Sequence, residues 1–222
     1  MSGRIVIAGG HGKIALLLER LLADRGNAVT GLIRNPEHTA DVQGAGADAV
    51  VLDLESATVD DVADRLHGAD AVVFAAGAGP GSGAARKDTV DRAAAVLLAD
   101  AAIAAGVVRY VMVSAMGADR RADDETSDPV FAAYLRAKAE ADDYVVSRDA
   151  LRSTIVRPGL LTDDAGTGLV RIAEQTGRGS IPRADVAAVL VAVLDSPGTA
   201  GRTFELIGGV TPVRDAVAAL SD

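Results

Sequence analysis

The stretch Ile7-Ala8-Gly9-Gly10-His11-Gly12-Lys13-Ile14-Ala15-Leu16 decides the fold. It follows a short apolar run, Arg4-Ile5-Val6-Ile7, and leads into apolar residues at helical spacing: Ile14, Leu17, Leu18, Leu21 and Leu22. Strand, glycine-rich turn and helix in that order make the phosphate-binding corner of a dinucleotide fold. Gly9 permits the tight turn. Gly12 lets the backbone approach a pyrophosphate, and Ala15 is small enough for the helix to pack close to the strand. The N–H groups at the helix start, at the positive end of its dipole, would face the phosphates. Gly10, His11, Lys13 and Ile14 complete the loop as cofactor-binding candidates. His11 reads either as a donor to phosphate or as a solvent-facing loop residue.

Outward from this corner, strand-like and helical segments alternate. Strands are expected at 5–8, 28–33, 49–52, 71–75, 110–114, 154–156 and 203–206. Helices are expected at 13–25, 36–43, 57–66, 87–105, 129–148, 183–195 and 212–220. That alternation predicts an α/β fold: a doubly wound parallel sheet with right-handed crossovers, three layers deep, of the NAD(P)-binding Rossmann kind. Gly26 and Gly106 stand where helix C-termini are expected. Two glycine-rich loops, 77–83 and 163–168, follow the fourth and sixth strands, at the sheet edge where open α/β sheets bind ligands. No linker or repeat divides the chain. It reads as one domain, 1–222, with 159–222 as a small substrate-side appendage.

Composition narrows the function. Of 222 residues, 49% are apolar but only 3% aromatic, so the core is Ala, Val, Leu and Ile, which suits helices packed on a parallel sheet. The absence of cysteine excludes disulfide and thiolate chemistry. His11, His38 and His67 lack metal-ligand spacing, which points away from a zinc site. The net charge of −9, without a basic stripe, argues against nucleic acid as a partner. The apolar stretch 93–108 is too short and too charged to span a bilayer, and the N-terminus lacks a signal-peptide pattern. The expectation is a soluble cytoplasmic protein with a small-molecule substrate and no membrane partner. It would be a monomer, or a homodimer through helices 87–105 and 129–148. The acidic run Asp123-Asp124-Glu125 reads as a solvated loop. The chain has only three lysines, Lys13, Lys87 and Lys138, among 22 basic residues, and two of them fall in motifs.

The second strand ends at Arg34. An acidic residue there would bind both ribose hydroxyls and favour NAD, whereas an arginine accommodates the 2′-phosphate of NADP. Its other reading is a surface arginine after a strand. Asp53-Leu54 closes the third strand, where the carboxylate either faces the adenine or simply starts a turn. Ala75-Ala76-Gly77 ends the fourth strand with residues small enough for a cofactor to lie against the backbone. Tyr134 and Lys138, four residues apart, share a helix face. A phenol near pKa 10 is a poor acid–base group at neutral pH, and a neighbouring ammonium is expected to lower that value. The other reading is an amphipathic helix with a core tyrosine and a solvated lysine. Ser114 reads as a reactive hydroxyl or as a strand-end group satisfied by backbone. Lys87, with Arg86, follows the glycine-rich loop after the fourth strand and reads as a contact to phosphate or an acidic substrate, or as a solvated residue at a helix start.

The glycine loop, Asp53-Leu54, Ala75-Ala76-Gly77, Val113-Ser114, Tyr134…Lys138 and Val156-Arg157-Pro158-Gly159 together resemble the short-chain dehydrogenase/reductase superfamily. The chain looks like its atypical branch, the bacterial NAD(P)H-binding, NAD-dependent epimerase/dehydratase-like proteins, and is similar to flavin and biliverdin reductases. Ser180-Ile181-Pro182-Arg183-Ala184-Asp185-Val186 and Gly201-Arg202-Thr203-Phe204-Glu205-Leu206 add to the likeness. The resemblance implies Tyr134 as proton donor or acceptor, Lys138 as its electrostatic partner and Pro158 beside the nicotinamide. The superfamily's serine slot falls on Ala115, leaving Ser114 one position early. The implied activity is hydride transfer between NADPH, rather than NADH, and a small carbonyl, quinone or flavin-like acceptor. The departure at Ala115 keeps a non-catalytic NADP-binding redox sensor as the alternative. A sugar-nucleotide epimerase or dehydratase ranks last, because the region after Pro158 is too short to enclose a nucleotide sugar.

Overall fold

The computed structural model describes residues 3–79, 81–118 and 128–221; the acidic run at 123–125 lies outside them. Seven parallel strands form the body of the sheet: β1 (Arg4–Ala8), β2 (Ala28–Ile33), β3 (Asp48–Val51), β4 (Ala71–Phe74), β5 (Arg109–Val113), β6 (Arg152–Pro158) and β10 (Thr203–Gly208). Two antiparallel strands, β8 (Leu169–Ala173) and β11 (Thr211–Pro212), extend one edge. The order is β11-β8-β10-β6-β5-β4-β1-β2-β3, and β7 (Leu160–Thr162) and β9 (Ser180–Pro182) form a separate parallel pair. The chain reverses its direction of travel across the sheet between β1 and β4, and a crevice opens at such a switch point.

The two faces follow from period-two alternation along the strands. Ile5 and Ile7 of β1 point into one core with Val73, Val111, Val113 and Val156. Val6 and Ala8 point into the other with Val72, Phe74, Tyr110, Met112 and Ile155. The first core is covered by α1 (Lys13–Ala23), by α7 (Arg183–Asp195) and by α8 (Val213–Ala218). The second is covered by α3 (Val59–Leu66), α5 (Ala94–Ala104) and α6 (Pro129–Val146). Near the β2 edge a 3₁₀ turn at Pro36–His38 leads into α2 (Thr39–Gly44). Thr58 starts α3 with a reciprocal capping box to Asp61, which satisfies two N–H groups that have no helical acceptor. Past the end of α1 the Asn27 N–H reaches back to Leu22 O, and past α5 the Val107 N–H reaches Ala102 O. Gly26 and Gly106 form the two turns, as expected.

The sheet confirms the predicted fold class. The region expected as one helix over 87–105 is built differently. A short turn, α4 (Ala84–Arg86), passes into π-helical turns over Lys87–Ala93 and only then into α5. The wider turns bury Asp91 completely. The segment after Pro158 divides its contributions: β10 and α7 join the main sheet and its helix layer, while β7 and β9 stand beside it.

Candidate functional site

A groove of about 250 Å³ opens along the C-terminal ends of β1 to β4. Its walls are the glycine turn, the end of β2, the segment after β3, the residues after β4, and Arg86, Val90 and Ala94 of the following helical segment. Among the residues expected to hold a cofactor, Gly9, His11, Gly12, Arg34, Asp53, Leu54, Ala75, Ala76 and Gly77 line it together.

The glycine turn is shaped by close backbone approaches. Gly9 has a φ of +83°, and a Cβ on it would lie 2.5 Å from the Ala76 Cα. Any side chain there would push β1 and β4 apart. A Cβ on Gly10 would lie 2.7 Å from the Gly31 Cα, so Gly10 packs against β2 and does not line the groove. Gly12 N-caps α1 with extended backbone (φ −64°, ψ 146°). The N–H groups of the first helical turn have no intrahelical acceptor and are left to an anion or water. Ile14 is buried in the core. Lys13 turns away from the groove and pairs at 2.5 Å with Asp163, in the loop after β7, which also receives Arg183 of α7 at 2.6 Å.

At the adenosine end the structure assembles residues that the sequence separates. Arg34 donates to Glu55 Oε2 at 2.9 Å, Arg86 donates to the same oxygen at 2.8 Å, and the Thr89 hydroxyl donates to Oε1 at 2.7 Å. Thr89 first, then Arg86 and Arg34, hold the Glu55 carboxyl below the usual carboxylate range. His11 stacks on His38 at 3.5 Å between ring centroids and meets Asp41 at 2.8 Å. Asp53 lines the groove and also accepts from the Glu55 N–H at 3.0 Å, so it shapes the turn it begins. Glu55 went unnoticed in the sequence, and Arg86 was noted only as the neighbour of Lys87, because neither falls in a motif and only the fold brings them to Arg34.

Beyond the groove, α6 carries Tyr134 and Lys138. Lys138 is not solvated. It is 2% exposed, pairs with Asp91 Oδ1 at 3.3 Å and donates to Val113 O at 3.2 Å. Asp91 in turn accepts from the Ala78 N–H at 3.2 Å, so the pair ties α6 to the loop after β4. The half-buried Tyr134 packs with Ala115 and Leu135, and Lys87 lies 5.1 Å above its ring while donating to Gly79 O. The expected lowering of the phenol pKa does not occur. Burial, then the charges of Asp91 and Asp142, push it well above its ordinary value. The Lys138 charge is matched by Asp91, and the Tyr134 phenol is held as a proton donor.

Ser114 is buried and donates to Asp142 Oδ2 at 2.8 Å, as does Arg157 Nε at 2.8 Å. Burial pushes the Asp142 carboxyl up to about 6, with Arg157 and Ser114 opposing the shift. Pro158 ends β6 and pairs with Leu206 of β10, and its carbonyl accepts from the Met116 N–H at 2.9 Å. Ser114, Lys138 and Pro158 thus lie outside the groove walls. Among the described residues, no cluster of three His, Asp or Glu side chains is placed to hold a metal ion. Among them, too, no helix is long and apolar enough to cross a membrane.

A parallel sheet with a glycine turn at its switch point and a groove across its strand ends defines a NAD(P)-binding Rossmann protein. The chain belongs to the NAD(P)H-binding family, whose model matches residues 9–197. It is 35% identical to the uncharacterized sugar epimerase YhfK of Bacillus subtilis, over 96% of this chain and 98% of that one. Among solved structures it is similar to a Bacillus halodurans protein assigned to the NAD-dependent epimerases/dehydratases, with 35% identity and a TM-score of 0.90 over 98% and 100% of the two chains. It is also similar to the oxidoreductase ylbE of Lactococcus lactis, with 27% identity and a TM-score of 0.85 over 98% and 96%. The fold is an NAD(P)H-binding, oxidoreductase-like one.

Proposed function

We propose that this protein is an NADPH-dependent oxidoreductase that reduces a small carbonyl, quinone or flavin-like acceptor. The observation that carries the reading is the groove itself. It runs from a glycine turn whose backbone is bare at Gly9 and Gly12, past Ala75, Ala76 and Gly77, to an arginine-bearing rim. The residues fit a dinucleotide: Gly9 and Gly12 leave the backbone bare where a pyrophosphate would lie, and Arg34 stands where an adenosine 2′-phosphate would be. When bound, the nicotinamide supplies hydride. The chain supplies orientation and the proton. Lys138 and Asp91 hold the loop after β4 against α6, and the Tyr134 O–H is available to donate to an acceptor oxygen as it gains negative charge.

The test is NADPH consumption with a panel of carbonyls, quinones and free flavin, on the wild type and on Tyr134→Phe. For a carbonyl acceptor, the loss expected in Tyr134→Phe is at least tenfold, the contribution of a positioned general acid. For a flavin, which can take its proton from water, the loss is expected to be smaller than that. A second reading, a sensor that binds NADP without turnover, is favoured by one observation. Ser114 is committed to Asp142, and Ala115 fills the slot where a substrate-binding serine would stand. Tight NADPH binding with no consumption by any acceptor would select it.

A further inference from the structure

One arginine at the rim of the groove is visible in the sequence, and a second reaches the same place from the opposite wall. Arg34 leaves the end of β2, and Arg86 closes α4, after the glycine-rich loop. Both guanidiniums donate to one oxygen of Glu55, at 2.9 and 2.8 Å, and all three residues line the groove. A carboxylate near the adenosine ribose ordinarily reads the 2′,3′-diol by accepting from its hydroxyls. Glu55 is badly placed for that work. Its Oε2 already takes two guanidinium donors and its Oε1 takes the Thr89 hydroxyl. Of roughly four acceptor sites on a carboxylate three are in use, which leaves one where a diol's two hydroxyls would need two.

The same arrangement suits a phosphate monoester. Two guanidiniums converge on one carboxylate, Asp53 being the other acid on the groove wall, and guanidinium forks match phosphate oxygens in geometry as well as charge. Both arginine side chains remain about half exposed, at 52% and 41%. Exposed ion pairs are weak, so either arginine can exchange its carboxylate partner for a phosphate at small cost.

We propose that Arg86 is a specificity-determining residue that, together with Arg34, grips the 2′-phosphate of NADP from opposite walls, and that Glu55 is the counter-ion keeping both guanidiniums at the rim. This rests on the groove being the cofactor site. The test uses calorimetric titration with adenosine 2′,5′-bisphosphate and with 5′-AMP, which carries the diol but no 2′-phosphate. The proteins are the wild type, Arg34→Gln, Arg86→Gln and Glu55→Gln, all altered at groove-rim positions that stay partly exposed. Arg86→Gln is expected to weaken the bisphosphate tenfold or more and to leave 5′-AMP within twofold, the size of one charge-assisted contact. Glu55→Gln is expected to leave 5′-AMP unchanged and not to weaken the bisphosphate. An Arg86→Gln protein that binds the bisphosphate like the wild type, while Arg34→Gln does not, overturns the role of Arg86 and leaves the cofactor reading standing. A tenfold loss of 5′-AMP in Glu55→Gln also overturns the proposal, by making Glu55 a diol ligand. If neither nucleotide binds the wild type, the groove is not the cofactor site and both readings fall together.

Discussion

Glu19 shows how a single residue can shape a site it does not enter. It lies in α1, is fully buried, and neither carboxyl oxygen has a hydrogen-bond partner among the described residues. A Cβ on Gly10 would lie 2.9 Å from its Oε1, and one on Gly31 2.5 Å from the same atom, so this carboxyl fills the space two glycines leave open. Burial pushes it up to about 8. The folded chain therefore holds this proton more tightly than the unfolded chain, whose group titrates near 4.5. Its contribution to stability is fully present below pH 4.5 and is lost as pH rises towards 8. The loss amounts to roughly 3 kcal/mol at neutral pH, at about 1.4 kcal/mol per pH step. Glu19→Gln, which cannot ionise, is expected to show a flatter fall in melting temperature than the wild type between pH 5 and 8. Parallel curves would show that the carboxyl is not held protonated. At this scale the motif residues were legible because their chemistry is local: a glycine turn, an arginine at a strand end, a tyrosine and lysine one helical turn apart. Glu19, Glu55, Asp91 and Asp142 were not, because each draws its character from burial or from partners that only the fold supplies. A buried carboxyl and a surface one look the same in a sequence.

Elements met expectation where they carry a strong period and departed where they are short or change pitch. The strands β1, β2, β4 and β5 read clearly from alternating or continuous apolar runs bounded by glycine. The strands β7, β8, β9 and β11 span only two to five residues, with little alternation to mark them. The π-helical turns at Lys87–Ala93 escaped notice because that segment carries no glycine or proline to mark a change of pitch, and tertiary packing chooses between the pitches. The choice has a consequence. It places Asp91 against Lys138, both nearly inaccessible, and so joins the π segment to α6. Removing one partner of a buried pair leaves an uncompensated charge. Asp91→Asn is expected to cost about 3 kcal/mol or more in chemical denaturation, with part of that recovered in Asp91→Asn/Lys138→Met. Equal stability of Asp91→Asn and the wild type would show that the pair does not bind the two elements. Gly9→Ala is the sharper probe of the turn. A positive φ and a Cβ only 2.5 Å from the Ala76 backbone are expected to cost several-fold in cofactor affinity as well as several degrees in melting temperature.

At the scale of the whole molecule, the doubly wound architecture was legible from alternation, because handedness and short connections leave few ways to lay these strands side by side. What the order could not convey is how the last third of the chain is shared between the main sheet and a small pair of strands beside it, since that depends on pairings between distant segments. The switch point between β1 and β4 is the feature that turns a fold into a site. Four chain segments, after β1, β2, β3 and β4, meet there and leave the groove between a glycine turn and two arginines. The measurement that bears on this most directly is a fluorescence titration of the purified protein with NADPH and NADH in parallel. Saturable binding with clear preference for NADPH is expected from the groove and its rim. Saturable binding without preference would contradict the reading of the arginines. Failure to bind either nucleotide would contradict the assignment of the groove itself.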